Sequence, residues 1–113
     1  MGTEKFVEPQ KLEEHKIVYK GEEFVIKTRP VTWSMRNKAM SEAIKIDKKG
    51  ASKIDLDAYS KYILCARIVE APWGITSYTF LNEISPELGE QLNTLIPSFF
   101  GVEEIEEDEL KNV

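Results

Sequence analysis

His15-Lys16-Ile17-Val18-Tyr19-Lys20-Gly21-Glu22-Glu23-Phe24-Val25-Ile26-Lys27 decides the fold class. Residues 15–19 and 23–27 are rich in β-branched and aromatic side chains, the composition of strands. Lys20-Gly21-Glu22 between them reads as a turn, with Gly21 free to take a positive φ. Alternation puts Ile17 and Tyr19 on one face of the first strand, and Phe24 and Ile26 on one face of the second. A two-stranded hairpin is marginal in water. Its apolar face therefore needs helices or another copy's strands, and an open edge would invite self-association.

Downstream, the period changes from two to that of a helix. Thr32 is a good N-cap for a helix over 33–46, with Arg36, Ala39, Met40, Ala43 and Ile44 on one side. Residues 47–55, with Gly50 and crowded lysines, read as a mobile polar loop. Asp57 can cap a second helix over 58–70, striped by Tyr59, Tyr62, Ile63, Ala66 and Val69. Pro72-Trp73-Gly74 breaks it. Thr76 or Ser77 caps a short helix over 78–84. Ser85-Pro86-Glu87 starts the last one, whose face carries Leu88, Leu92, Leu95 and Phe99, and which either kinks or ends near Pro97. The expected architecture is α+β: an N-terminal β-hairpin, then about four helical segments in one layer against it.

Outward from this body lie two polar ends. Residues 1–14 show no clean period and are expected to be mobile. Residues 102–113 carry six acids and one base, and are expected to be a disordered acidic tail. Removing that tail from a total of 20 acids and 15 bases leaves 14 of each, so the net charge of −5 belongs to the tail. Within the body, residues 27–53 hold eight bases and two acids, whereas 54–101 hold six acids and two bases. The 113 residues fit one domain, taken as 15–101. No apolar run approaches the roughly 18 residues of a membrane span. Met1-Gly2-Thr3-Glu4-Lys5 offers no signal-peptide core. A lone cysteine excludes an internal disulfide and points to a reducing, cytoplasmic compartment.

Catalytic and metal chemistry find no support. His15 has neither a partner nor a pocket in the pattern and reads as a surface histidine. Cys65 lies beside a helical apolar stripe and reads as a small core residue. Asp47, Asp55 and Asp57 lack the glycine and closing glutamate of a calcium loop. The six glycines make no phosphate-binding loop. The expectation is a non-enzyme with no cofactor and no metal. Aromatic side chains say more: Trp33, Trp73, Tyr78, Phe80, Phe99 and Phe100 are many for one small domain. Trp73 sits in a loop, and Phe99 and Phe100 cannot both face inward from one helix. These three are the candidate partner-binding residues.

The order of features resembles the small tail assembly chaperones of long-tailed bacteriophages and related proviruses. It rests on the Lys20-Gly21-Glu22 turn, Arg29-Pro30-Val31-Thr32 before a helix, and a lysine-rich loop. Asp55-Leu56-Asp57-Ala58-Tyr59 opening a helix, the Pro72-Trp73-Gly74 break, and the acidic tail complete it. The similarity spans about residues 15–101. It implies a non-enzymatic role in virion morphogenesis: coating a helical tape-measure-like protein, keeping it soluble and recruiting tail tube subunits. Two other readings stand beside it. One is a structural tail or connector subunit that associates with itself through the hairpin edge. The other is a nucleic-acid-binding regulator using 27–53, against which the overall acidity argues.

Overall fold

The structure, a computed structural model, describes residues 4–97. The expected α+β architecture holds: a hairpin, further short strands and four helices among the described residues. Strands β1 (Glu13–Tyr19) and β2 (Glu22–Thr28) pair antiparallel with Ile17 opposite Phe24. Lys20 and Gly21 both take positive φ, 52° and 81°. That two-residue turn twists in the same sense as the strands it joins. One face carries the buried Ile17, Ile26 and Thr28 with the half-buried Tyr19 and Phe24. The other shows Val18 and Val25 to solvent.

The sheet has a third strand that the periodicity hides. Helix α2 (Leu56–Arg67) stops three residues short of the expected end. Ile68–Glu70 forms β5, antiparallel to β2, with Thr28 opposite Ile68 and the order β1-β2-β5. Two β-branched residues, Ile68 and Val69, pack better on a pleated surface than on a helix. Arg29 N–H donates to the Arg67 carbonyl at 2.8 Å, and Lys27 meets Glu70 at 3.4 Å across the ladder.

A similar correction applies to α1 (Trp33–Ala43), capped as expected by Thr32, whose hydroxyl accepts from Met35 N–H at 3.1 Å. Residues 44–46 leave the helix as β3 (Ile44–Ile46) and pair with β4 (Ser52–Ile54). The expected mobile loop is therefore a second hairpin. Asp47 builds its tip: its carboxylate accepts from Lys49 N–H at 2.8 Å and Ala51 N–H at 2.9 Å, and Gly50 takes a φ of 83°. Asp55, not Asp57, caps α2, accepting from Ala58 N–H at 3.1 Å. Asp57 pairs with Lys61 one turn on.

Ser77 caps α3 (Tyr78–Glu83), and Ser85 with Pro86 starts α4 (Pro86–Leu92). Of the two expected outcomes at Pro97, a kink or an end, the helix ends: α4 stops at Leu92 and a 3-10 turn, Asn93–Leu95, leads to Pro97. Leu88, Leu92 and Leu95 are nonetheless all buried. They pack with Ile17, Ile26, Leu64, Ile68 and Leu81 in a core between sheet and helices. A second core, Ala39, Ala43, Tyr59 and Ile63, joins α1 to α2. Near the N-terminus, Glu4–Phe6 makes a 3-10 turn, with Phe6 and Val7 exposed. No helix of the described residues is long and apolar enough to cross a membrane. Phe99, Phe100 and the acidic tail lie outside the described residues.

Candidate functional site

The site starts from a turn. Gly74 N–H donates to the Ala71 carbonyl at 3.1 Å, and Gly74 takes a φ of 86°, so the chain reverses around Pro72 and Trp73. That reversal carries the Trp73 indole back over α3. Its ring stacks on Phe80 with centroids 5.0 Å apart and planes 21° apart. Its N–H donates to the hydroxyl of the buried Thr76 at 2.8 Å. A tryptophan held by a stack at one face and a hydrogen bond at its polar end loses little further freedom when it binds something.

Trp73 forms one wall of an open groove of about 310 Å³. Pro72, Phe80 and Leu88 continue that wall, and Ile17, Tyr19 and Phe24 from the hairpin's inner face make the other. All seven lining residues are apolar or aromatic, and Tyr19 carries the only side-chain oxygen. At the rim, the Lys20 ammonium lies 5.4 Å from the Tyr19 ring centroid. Lys20 N–H also donates to the Glu87 carboxylate at 3.4 Å.

The α4 side of the groove is tied to the hairpin by a side chain that sequence reasoning overlooked. Gln91 on α4 turns its carboxamide onto the outer edge of β1. Its oxygen accepts from Val18 N–H at 2.6 Å, and its nitrogen donates to the Val18 carbonyl. This pair imitates one rung of a β-ladder and ties α4 to the sheet. A glutamine in a helix gives no warning of such a role; only the tertiary placement of α4 does.

The other candidates are accounted for structurally. His15 packs against Thr28, with 3.0 Å between its Nε2 and the threonine hydroxyl, and meets no carboxylate among the described residues. Burial pushes the half-buried Cys65 thiol upward, away from a reactive thiolate. Among the described residues, no group of three or more His, Cys, Asp and Glu side chains could hold a metal ion. Of the bases in 27–53, Lys45, Lys48, Lys49 and Lys53 lie on the β3–β4 hairpin, while Lys27 is paired with Glu70. Of the three candidate partner residues, Trp73 lines the groove; Phe99 and Phe100 lie outside the described residues. Ile17, Tyr19 and Phe24 were legible as an inner face, but not as the face of a groove. Compared with known proteins, the chain matches no family model, no curated protein and no solved structure.

Proposed function

We propose that this protein is a non-enzymatic tail assembly chaperone of a long-tailed phage or provirus, acting in the host cytoplasm. Its partner on this reading is a helical, tape-measure-like chain, and tail tube subunits are the second partner it calls for. One observation carries the proposal: an open groove lined wholly by apolar and aromatic residues, with Trp73 clamped in its wall. A helix with an apolar stripe presents side chains at i, i+3 and i+4, and an extended apolar groove accepts such a row. Each leucine-sized side chain moved from water into the groove contributes about 2 kcal/mol. Two or three of them suffice for a reversible grip, which suits a factor that must leave the finished particle.

Sheet extension between copies is the less favoured reading. Gln91 already occupies the outer edge of β1 at Val18, and Glu87 engages the turn backbone at Lys20 just beyond it, so an added strand would have to displace Gln91.

Co-expression tests the proposal. The protein should raise the soluble fraction of a tape-measure-like chain, and light scattering should find one soluble complex with several copies of the protein. Trp73→Arg should abolish the effect, while Trp33→Arg, at a side chain 78% exposed and away from the groove, should not. Equal loss in both variants, or a tape measure that stays insoluble with the unaltered protein, would overturn it.

A further inference from the structure

The β3–β4 hairpin is an arm with two mismatched faces. It forms a sheet of its own, two strands of three residues each, and such a pair is marginal without a covering. The pairs Ile44–Ile54 and Ile46–Ser52 put three isoleucines on one face. All three are exposed, Ile46 by 75%. On the opposite face Lys45 stands directly across from Lys53, a like-charge pairing that weakens a hairpin. Lys48 and Lys49 add two cations at the tip. Asp47 is the arm's only acid, and its carboxylate is spent on the backbone of the turn.

The chain contains a segment with the complementary chemistry. Residues 103–109 hold six acids around Ile105, and Leu110 follows. They also start from the right place. The Pro97 carbonyl accepts from the Tyr59 hydroxyl at 2.9 Å. Tyr59 N–H donates to the Asp55 carbonyl at 3.2 Å, and Asp55 N–H to the Ala43 carbonyl at 2.7 Å. Ala43 and Asp55 are the two residues that bracket the arm. From Pro97, an extended chain reaches about 20 Å by residue 103 and about 40 Å by residue 109. The arm's strands are only about 10 Å long. Arg36 on α1, whose charge acts on Tyr59, keeps a buried Nε with no partner among the described residues.

We propose that residues 103–109 add along the edge of the β3–β4 arm of the same molecule, where alternation turns Ile105 to the isoleucine face and Glu104 and Glu106 to the face of Lys45 and Lys53, with the remaining acids near Lys48 and Lys49 at the tip. Zero-length carbodiimide cross-linking of the full chain, followed by peptide mass spectrometry, tests this. The expected result is tail-to-arm cross-links within the monomer band. They should be lost at about 0.5 M salt, where charges several ångströms apart are screened, and lost in Lys48→Glu/Lys49→Glu. Cross-links confined to a dimer band would overturn the proposal in favour of a second copy as the occupant. Tail cross-links spread equally over Lys16, Lys20 and Lys61, or none from the tail at all, would also overturn it.

Discussion

Arg67 sends its guanidinium to three oxygens from distant parts of the chain. Nε donates to the Arg29 carbonyl at 2.8 Å, one terminal nitrogen to the Leu95 carbonyl, and the other to the Glu13 carboxylate at 2.7 Å. The residue is 8% exposed, so the group stays buried only because each direction finds an acceptor. Arg67→Ala leaves two carbonyls without donors and should cost about 3 kcal/mol in urea unfolding. Arg67→Lys should recover less than half, because an ammonium cannot reproduce the planar fork. A loss below about 0.5 kcal/mol for Arg67→Ala would contradict this account. At alkaline pH other residues govern. Burial raises Cys65 above its ordinary 9.0 and Tyr59 above 10.0, the Tyr59 shift being partly offset by Arg36. Tyr78 is raised by burial, then by Cys65, Glu42 and Tyr62. The unfolded chain therefore releases these protons first as pH rises. Their stabilisation is whole below pH 9.0 and drains away as pH climbs through the raised folded values. The urea midpoint should fall above about pH 9, and in Cys65→Ala the fall should begin later, in the tyrosine range. A midpoint that rises there would refute the assignment.

Single elements show how local chemistry and tertiary pairing divide the work. Gly50 holds a φ of 83° with nothing within 4 Å of where a Cβ would stand. Gly50→Ala therefore meets no clash, only the left-handed backbone cost of about 1 kcal/mol. Gly89 lies inside α4, where an added Cβ would meet only Ile84 Cδ1 at an ordinary 3.7 Å. Gly89→Ala should stabilise by about 0.5–1 kcal/mol. Thermal melts should thus move in opposite directions; a shift of the same sign in both would show that one turn or helix is misassigned. The same contrast explains what the sequence made legible. The first hairpin and the Thr32, Ser77 and Ser85 caps follow from nearest-neighbour chemistry, and all are present. Ile44-Lys45-Ile46 and Ile68-Val69-Glu70 continue helical stripes on paper, but ladders to residues 52–54 and 27–28 convert them to strands. Asp47 and Gly50, three residues apart between two short isoleucine-bearing runs, were the available signal for the second hairpin. Trp73 was legible as a loop anchor, whereas the groove needed α4 to be tied to β1 through Gln91.

At the scale of the whole molecule, α2 is the common wall of both cores. Leu64 and Ile68 at its end face the sheet cluster, while Tyr59 and Ile63 face α1. Ile96 packs against both clusters, so the last described turn also bridges them. Two cores sharing a helix and a bridging residue should unfold as one unit. The test uses one substitution in each. Ile63 in the α1 cluster and Leu92 in the sheet cluster are both fully buried, and truncation of either to alanine should cost about 2–5 kcal/mol. Trp73 lies against the sheet cluster, and the helices report through far-ultraviolet circular dichroism. In Ile63→Ala the two signals should shift together to lower denaturant, although Trp73 belongs to the other core. A Trp73 transition left in place while the helical signal moves would mean that α1 and the arm open separately from the sheet. The groove would then survive on a smaller unit formed by the sheet, α3 and α4.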